Sequence, residues 1–134
     1  MFHLAMSVAD LEASKKFYKN VLKAKMGRSG YNWADFNFHG NQITLVEINN
    51  FIAESPKYNK DGVPLKHFGV VLTVPEWQKE KTRFEEESVP FLIKSHIVFK
   101  GKVGEQHSFL ISDPNGYAIE YKGFENLESV FKKS

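Results

Sequence analysis

The chain of 134 residues contains no cysteine. Disulfides and thiol chemistry are excluded, so any metal must be held by imidazole and carboxylate. An excess of one charge is missing too: 18 basic and 16 acidic residues leave a net charge of +2, with the signs interspersed. Without a basic stripe, nucleic acid is not an expected partner. No apolar run approaches the length of a membrane span, and the N-terminus shows no basic-then-apolar signal. The expectation is a cytoplasmic protein with no membrane partner.

What is present is an ordinary globular composition, 42% hydrophobic and 25% charged, with an abundance of Phe (12) that suits a sheet-lined core or an apolar cavity. The length fits one domain, residues 1–134. Two stretches stand out, Phe2-His-Leu-Ala-Met-Ser-Val8 and His67-Phe-Gly-Val-Val-Leu-Thr-Val74. Both alternate as strands do. Leu4, Met6 and Val8 form one face of the first; Phe68, Val70, Leu72 and Val74 form one face of the second. His3 and His67 leave those faces and project the other way.

Each stretch opens a similar series. After the first comes an amphipathic helix with Asp10 as its N-cap and an apolar stripe of Leu11, Phe17, Tyr18, Val21 and Leu22. Three short strands follow, at 25–29, 31–38 and 42–48, separated by Gly30 and His39-Gly-Asn41. After the second come a helix at 75–88 with Pro75 near its start, strand material at 90–94 extending toward 100, and strands at 106–112 and 117–122. Asp113-Pro-Asn-Gly116 is turn chemistry. The pattern is two βαβββ modules, 1–48 and 66–123, joined by a connector at 49–65 and followed by a charged tail at 124–134. The expected fold class is α+β.

The duplication groups the ionisable residues. Glu47 lies in the last strand of the first module and Glu120 in the last strand of the second. Two modules packed around a pseudo-twofold axis would gather His3, Glu47, His67 and Glu120 in a trough. Two imidazoles with one or two carboxylates suit Fe(II), Ni, Zn, Mn or Co. Asp35 and Asn37 alternate against Phe36 and Phe38, so they either line the trough floor or face solvent. His39 and His96 sit by turns and are not expected to act.

The motifs His-x-x-x-x-Val-x-Asp-Leu-x-x-Ser-x-x-Phe-Tyr, His-Phe-Gly-Val-Val-Leu and Phe-x-x-x-Asp-Pro-x-Gly-x-x-x-Glu resemble the vicinal-oxygen-chelate superfamily. That group holds glyoxalase I, extradiol dioxygenases, and bleomycin- and fosfomycin-resistance proteins. The resemblance spans residues 2–122. It implies that each module curls into half of a mixed-sheet trough around a divalent metal, with His3, His67 and Glu120 as ligands. Glu47 falls where glyoxalase I has its first-module glutamate, and a homodimer is implied by analogy. Ser7 departs from the glyoxalase pattern, which has an arginine there. Ser108-Phe109 resembles an extradiol pattern, but Leu110 replaces its tyrosine, and the extradiol catalytic histidine would fall near Glu105. His107 is then the candidate acid or base, beside Glu120 and Glu47.

The function these features imply is that of a metal-dependent enzyme on a small vicinally oxygenated substrate, dioxygenase-like by slight preference. A glyoxalase-like lyase or isomerase is the close alternative. A metal-free, drug-binding protein of the bleomycin-resistance kind is the alternative from another class.

Overall fold

The computed structural model describes residues 1–134. They form two compact units, one of residues 1–55 with 113–116, the other of 56–112 with 117–134. In the first unit, the alternating opening stretch becomes β1 (His3–Val8). Asp10 caps helix α1 (Leu11–Lys16) by accepting from the Ala13 N–H at 3.0 Å. Strands β2 (Lys25–Ser29), β3 (Trp33–Phe38) and β4 (Asn41–Glu47) follow. The sheet order is β1-β4-β3-β2, with β1 parallel to β4 and the other pairs antiparallel. His39 and Gly40, both at positive φ (51° and 83°), make the tight turn between β3 and β4.

The expected single helix over 10–22 changes character after Lys16. A π-helical turn, Phe17–Val21, closes with the Leu22 N–H on the Phe17 carbonyl at 3.1 Å. Tyr18 is fully buried there, its ring 5.6 Å from that of Phe36. Its hydroxyl donates to Asp113 Oδ2 at 3.0 Å. The turn Asp113–Gly116 thus belongs to the first unit although it joins two strands of the second. Asn115 completes the anchor. Its Oδ1 accepts from the Ala9 N–H at 2.9 Å, and its Nδ2 donates to Ser14 Oγ and Asp113 Oδ2, each at 3.1 Å.

The second unit repeats the order. It comprises β5 (His67–Thr73), α2 (Val74–Glu86), β6 (Ile93–Val98), β7 (Gln106–Ser112) and β8 (Ala118–Phe124), then a 3-10 turn at Leu127–Phe131. Its sheet runs β5-β8-β7-β6, again with the first and last strands parallel. The duplicated pattern is therefore a duplicated topology: two four-stranded mixed sheets, each with a helix, in an α+β fold. Trp77 and Phe84 of α2 are buried with Phe109, Ile111, Ile119 and Tyr121, and the rings of Phe109 and Tyr121 stack at 5.1 Å. Burial pushes the Tyr121 phenol above its usual range, with Glu80 adding to the shift and Arg83 opposing it. The connector 49–65 carries one isolated bridge, Tyr58 to Pro64. No helix is long and apolar enough to cross a membrane.

Thr73 and Glu76 form a reciprocal capping box at the start of α2, visible in the sequence as Thr-Val-Pro-Glu. Replacing Thr73 by alanine is expected to cost about 1 kcal/mol, read as a lowered urea midpoint with an unchanged slope.

Candidate metal site

Parallel pairing of β5 with β8 sets Gly69 opposite Glu120 and His67 opposite Ala118. The His67 and Glu120 side chains share a sheet face, two residues apart in register, and Nε2 of His67 lies 2.9 Å from Glu120 Oε2. Gly69 makes that approach possible. A Cβ at this position would lie 1.8 Å from the Glu120 carbonyl oxygen.

Both partners are held from behind. His67 Nδ1 meets the Pro64 carbonyl at 2.6 Å, and Ser108 Oγ, from β7, donates to Glu120 Oε1 at 2.8 Å. Lys122 Nζ stands 3.8 Å from Glu120 Oε2. A backbone carbonyl only accepts, so Nδ1 carries the ring proton. Nε2 then faces a carboxylate oxygen, which also only accepts. A neutral imidazole has one N–H and cannot serve both. The contact is satisfied by a second proton or by a cation in its place.

The donor set fits a divalent ion. An imidazole whose other N–H is given to a backbone carbonyl, beside a hydrogen-bonded carboxylate, is the usual dressing of a metal-ligating histidine. Two donor atoms each about 2.1 Å from one ion, at right angles, lie about 3.0 Å apart, close to the spacing seen here. Neither unit by itself gathers three or more His, Asp or Glu side chains around one point. The second unit contributes His67 and Glu120; His3 and Glu47 lie in the first.

In the first unit, His3 pairs in register with Gln42, and Ala5 with Thr44. Compared with the second unit, this makes Thr44, not Glu47, the counterpart of Glu120. Glu47 is three residues further on and so lies on the opposite face, with the buried Ile43 and Leu45. Its Oε2 accepts from the Leu11 N–H at 2.8 Å, satisfying an otherwise orphan donor at the start of α1. The expectation that Glu47 shares a face with His3 is corrected: it serves as a helix cap.

Asp35 is the carboxylate that does occupy His3's face. It is 8% exposed, accepting from Thr44 Oγ1 at 2.6 Å and from Gln42 Nε2 at 3.1 Å. The structure thus resolves its two possible placements in favour of the sheet floor.

His107 is also corrected. It alternates with Ser108, so it points away from Glu120 toward α2, where its ring lies 5.1 Å from that of Trp77. A place beside Phe109 on the core face removes it from the acid-base groups near Glu120. His39 and His96 stay apart from the pair. His96 Nδ1 lies 2.9 Å from the Lys94 carbonyl.

A family model described as "Glyoxalase/Bleomycin resistance protein/Dioxygenase superfamily" matches residues 1–121. Among solved structures, a glyoxalase/bleomycin resistance protein/dioxygenase from Alicyclobacillus acidocaldarius superposes with a TM-score of 0.82 at 22% identity, covering 98% of this chain and 96% of that one. A variant of the fosfomycin resistance protein FosX from Listeria monocytogenes, complexed with Mn(II) and 1S,2S-dihydroxypropylphosphonic acid, gives 0.74 at 18% identity, covering 99% and 97%. A lactoylglutathione lyase from Agrobacterium tumefaciens gives 0.67 at 20% identity, covering 93% of each chain. These likenesses establish the fold, and with the family match over nearly the whole chain they make this protein a member of the glyoxalase/bleomycin resistance/dioxygenase superfamily.

Proposed function

We propose that the protein is a divalent-metal-dependent enzyme acting on a small substrate with two adjacent oxygens, and that His67, Glu120 and His3 are its metal ligands. The observation that carries this is His67, clamped through Nδ1 with Nε2 turned onto Glu120 at 2.9 Å. When bound, a divalent ion supplies Lewis acidity to vicinal substrate oxygens. The chain's own residues prepare for it. The Pro64 carbonyl fixes the imidazole tautomer and ring plane, Ser108 orients the carboxylate, and Gly69 lets the two strands close. Mn(II) and a vicinal diol in the FosX complex support this choice of metal and substrate class. His3 reaches the ion from the same chain or from a second copy, a homodimer being the arrangement we favour.

Of the two chemistries, the dioxygenase-like one relied on His107 as an acid or base. That ring packs on Trp77, and Glu47, the first-module glutamate of the glyoxalase-like chemistry, caps α1 instead, so neither chemistry keeps its expected acid-base residue and the two stand level.

Metal analysis of protein purified without chelator tests the proposal. Wild type and Glu47→Ala are expected to carry a divalent metal, and His3→Ala, His67→Ala and Glu120→Ala to lose affinity by about 100-fold or more, beyond the 10–100-fold typical of outer-shell changes. Metal-free wild type that binds an aromatic cation tightly would instead support the drug-binding module. Turnover of the methylglyoxal–glutathione adduct, against oxygen uptake with catechols, separates the two enzyme chemistries.

A further inference from the structure

A cavity of about 350 Å³ opens on the sheet of the first unit, lined by Lys25, Gly27, Arg28, Asp35, Asn37 and Gln42 among others. The volume falls in the usual small-molecule range of about 300–1,000 Å³. Asp35, Asn37 and Gln42 share the sheet face of His3, and Gln42 is its register partner. The two cations come from β2, the edge strand. An edge strand often carries lysine simply to repel other strands. Three features distinguish this one.

First, Lys25 and Arg28 flank Gly27, whose missing side chain leaves room over Asp35: a Cβ there would stand 3.7 Å from the Asp35 Cβ. Second, Asp35 makes no ion pair with either cation: its oxygens accept from Thr44 Oγ1 and Gln42 Nε2, which hold the carboxylate down on the sheet. Third, neither cation has an ion-pair partner, whereas Lys15, Lys81, Arg83 and Lys122 each have one. A concave wall with two cations against one carboxylate, beside amide side chains, is net positive and suits a small oxyanion.

We propose that this cavity is a subsite for a carboxylate or phosphoryl group of a small ligand, with Lys25 and Arg28 as its cationic wall. Its role as the substrate's anchor rests on the metal-enzyme reading above; anion binding itself does not.

The test uses the full chain in the presence of EDTA, titrated with benzoate, phenylphosphonate and neutral benzyl alcohol by NMR. Both anions are expected to shift resonances of β2 and β3, and the stronger of the two names the head group. The Lys25→Ala/Arg28→Ala pair is expected to weaken that binding by about tenfold or more through lost charge-assisted hydrogen bonds. Gly27→Leu, which fills the cavity and keeps both charges, should weaken it as well. Lys102→Ala, an exposed cation elsewhere, should change nothing. Equal binding of benzyl alcohol, no binding by either anion, or indifference to the Lys25/Arg28 pair would overturn the subsite. Glu120→Ala separates the two ideas. Anion binding that persists there supports the subsite whatever the metal analysis shows, and a wild type that holds metal but ignores both anions sinks the subsite alone.

Discussion

Gly69→Ala is expected to destabilise the second unit by about 3 kcal/mol or more, at or above the top of the usual range for overpacking. The added Cβ would meet the Glu120 carbonyl oxygen at 1.8 Å, its carbon at 2.7 Å and its nitrogen at 2.9 Å. All three are main-chain atoms of the paired strand, so no side chain can rotate out of the way. Relief must come from β5 moving off β8. That movement breaks the parallel ladder and withdraws His67 from Glu120 in the same step. A loss of this size is a large share of the roughly 5–15 kcal/mol that holds a domain together. Urea unfolding and metal content, measured on the same sample, are expected to fall together. A variant as stable as wild type would show that the two strands do not approach so closely.

The second large effect is expected at Asn115, in what looks like a surface turn. Substitutions at ordinary surface positions change stability by about 0.5 kcal/mol or less. Asn115→Ala should cost about 3 kcal/mol, because the amide links three elements. Its removal leaves the Ala9 N–H without its acceptor and takes one donor each from Ser14 and Asp113. A buried group left short of a partner costs about 1–3 kcal/mol; Asp113 keeps the Tyr18 hydroxyl and the Ala9 N–H is part-buried, so the three losses do not add in full. Chemical denaturation of Asn115→Ala beside Pro114→Ala, an exposed neighbour in the same turn, isolates the side chain's contribution. Similar stability in the two variants would reduce the network to ordinary turn chemistry.

The two cases show what could be read from sequence and what could not. Strand alternation, the Asp10 cap, the helix near Pro75 and the repeated order were legible because each depends on local period or on a single residue's chemistry. That His67 and Glu120 leave the apolar faces of their strands was legible for the same reason. Glu47 failed because the period of a strand tells which residues share a face, not which rung of the neighbouring strand they meet. The pairing of Ala5 with Thr44, which assigns Thr44 as the counterpart of Glu120, is a tertiary fact. For His107, the strand period left open which side of the sheet the helix covers, and that side is where its ring packs. In the Asp-Pro-Asn-Gly turn, the backbone role was evident. The side-chain role of Asn115 was not, since its partners lie about a hundred residues away. The π turn at Phe17 has no pattern that separates it from ordinary helix.

The threonine-for-glutamate difference between equivalent rungs has one more consequence. Two halves with the same strand order would suggest twin ion-holding centres, yet only the later half pairs an imidazole with a carboxylate. The earlier half offers a hydroxyl already committed to Asp35. On the proposed metal-site reading, stoichiometry should therefore follow the decoration of the halves rather than their number, and a titration with divalent cation should end at a single equivalent per polypeptide.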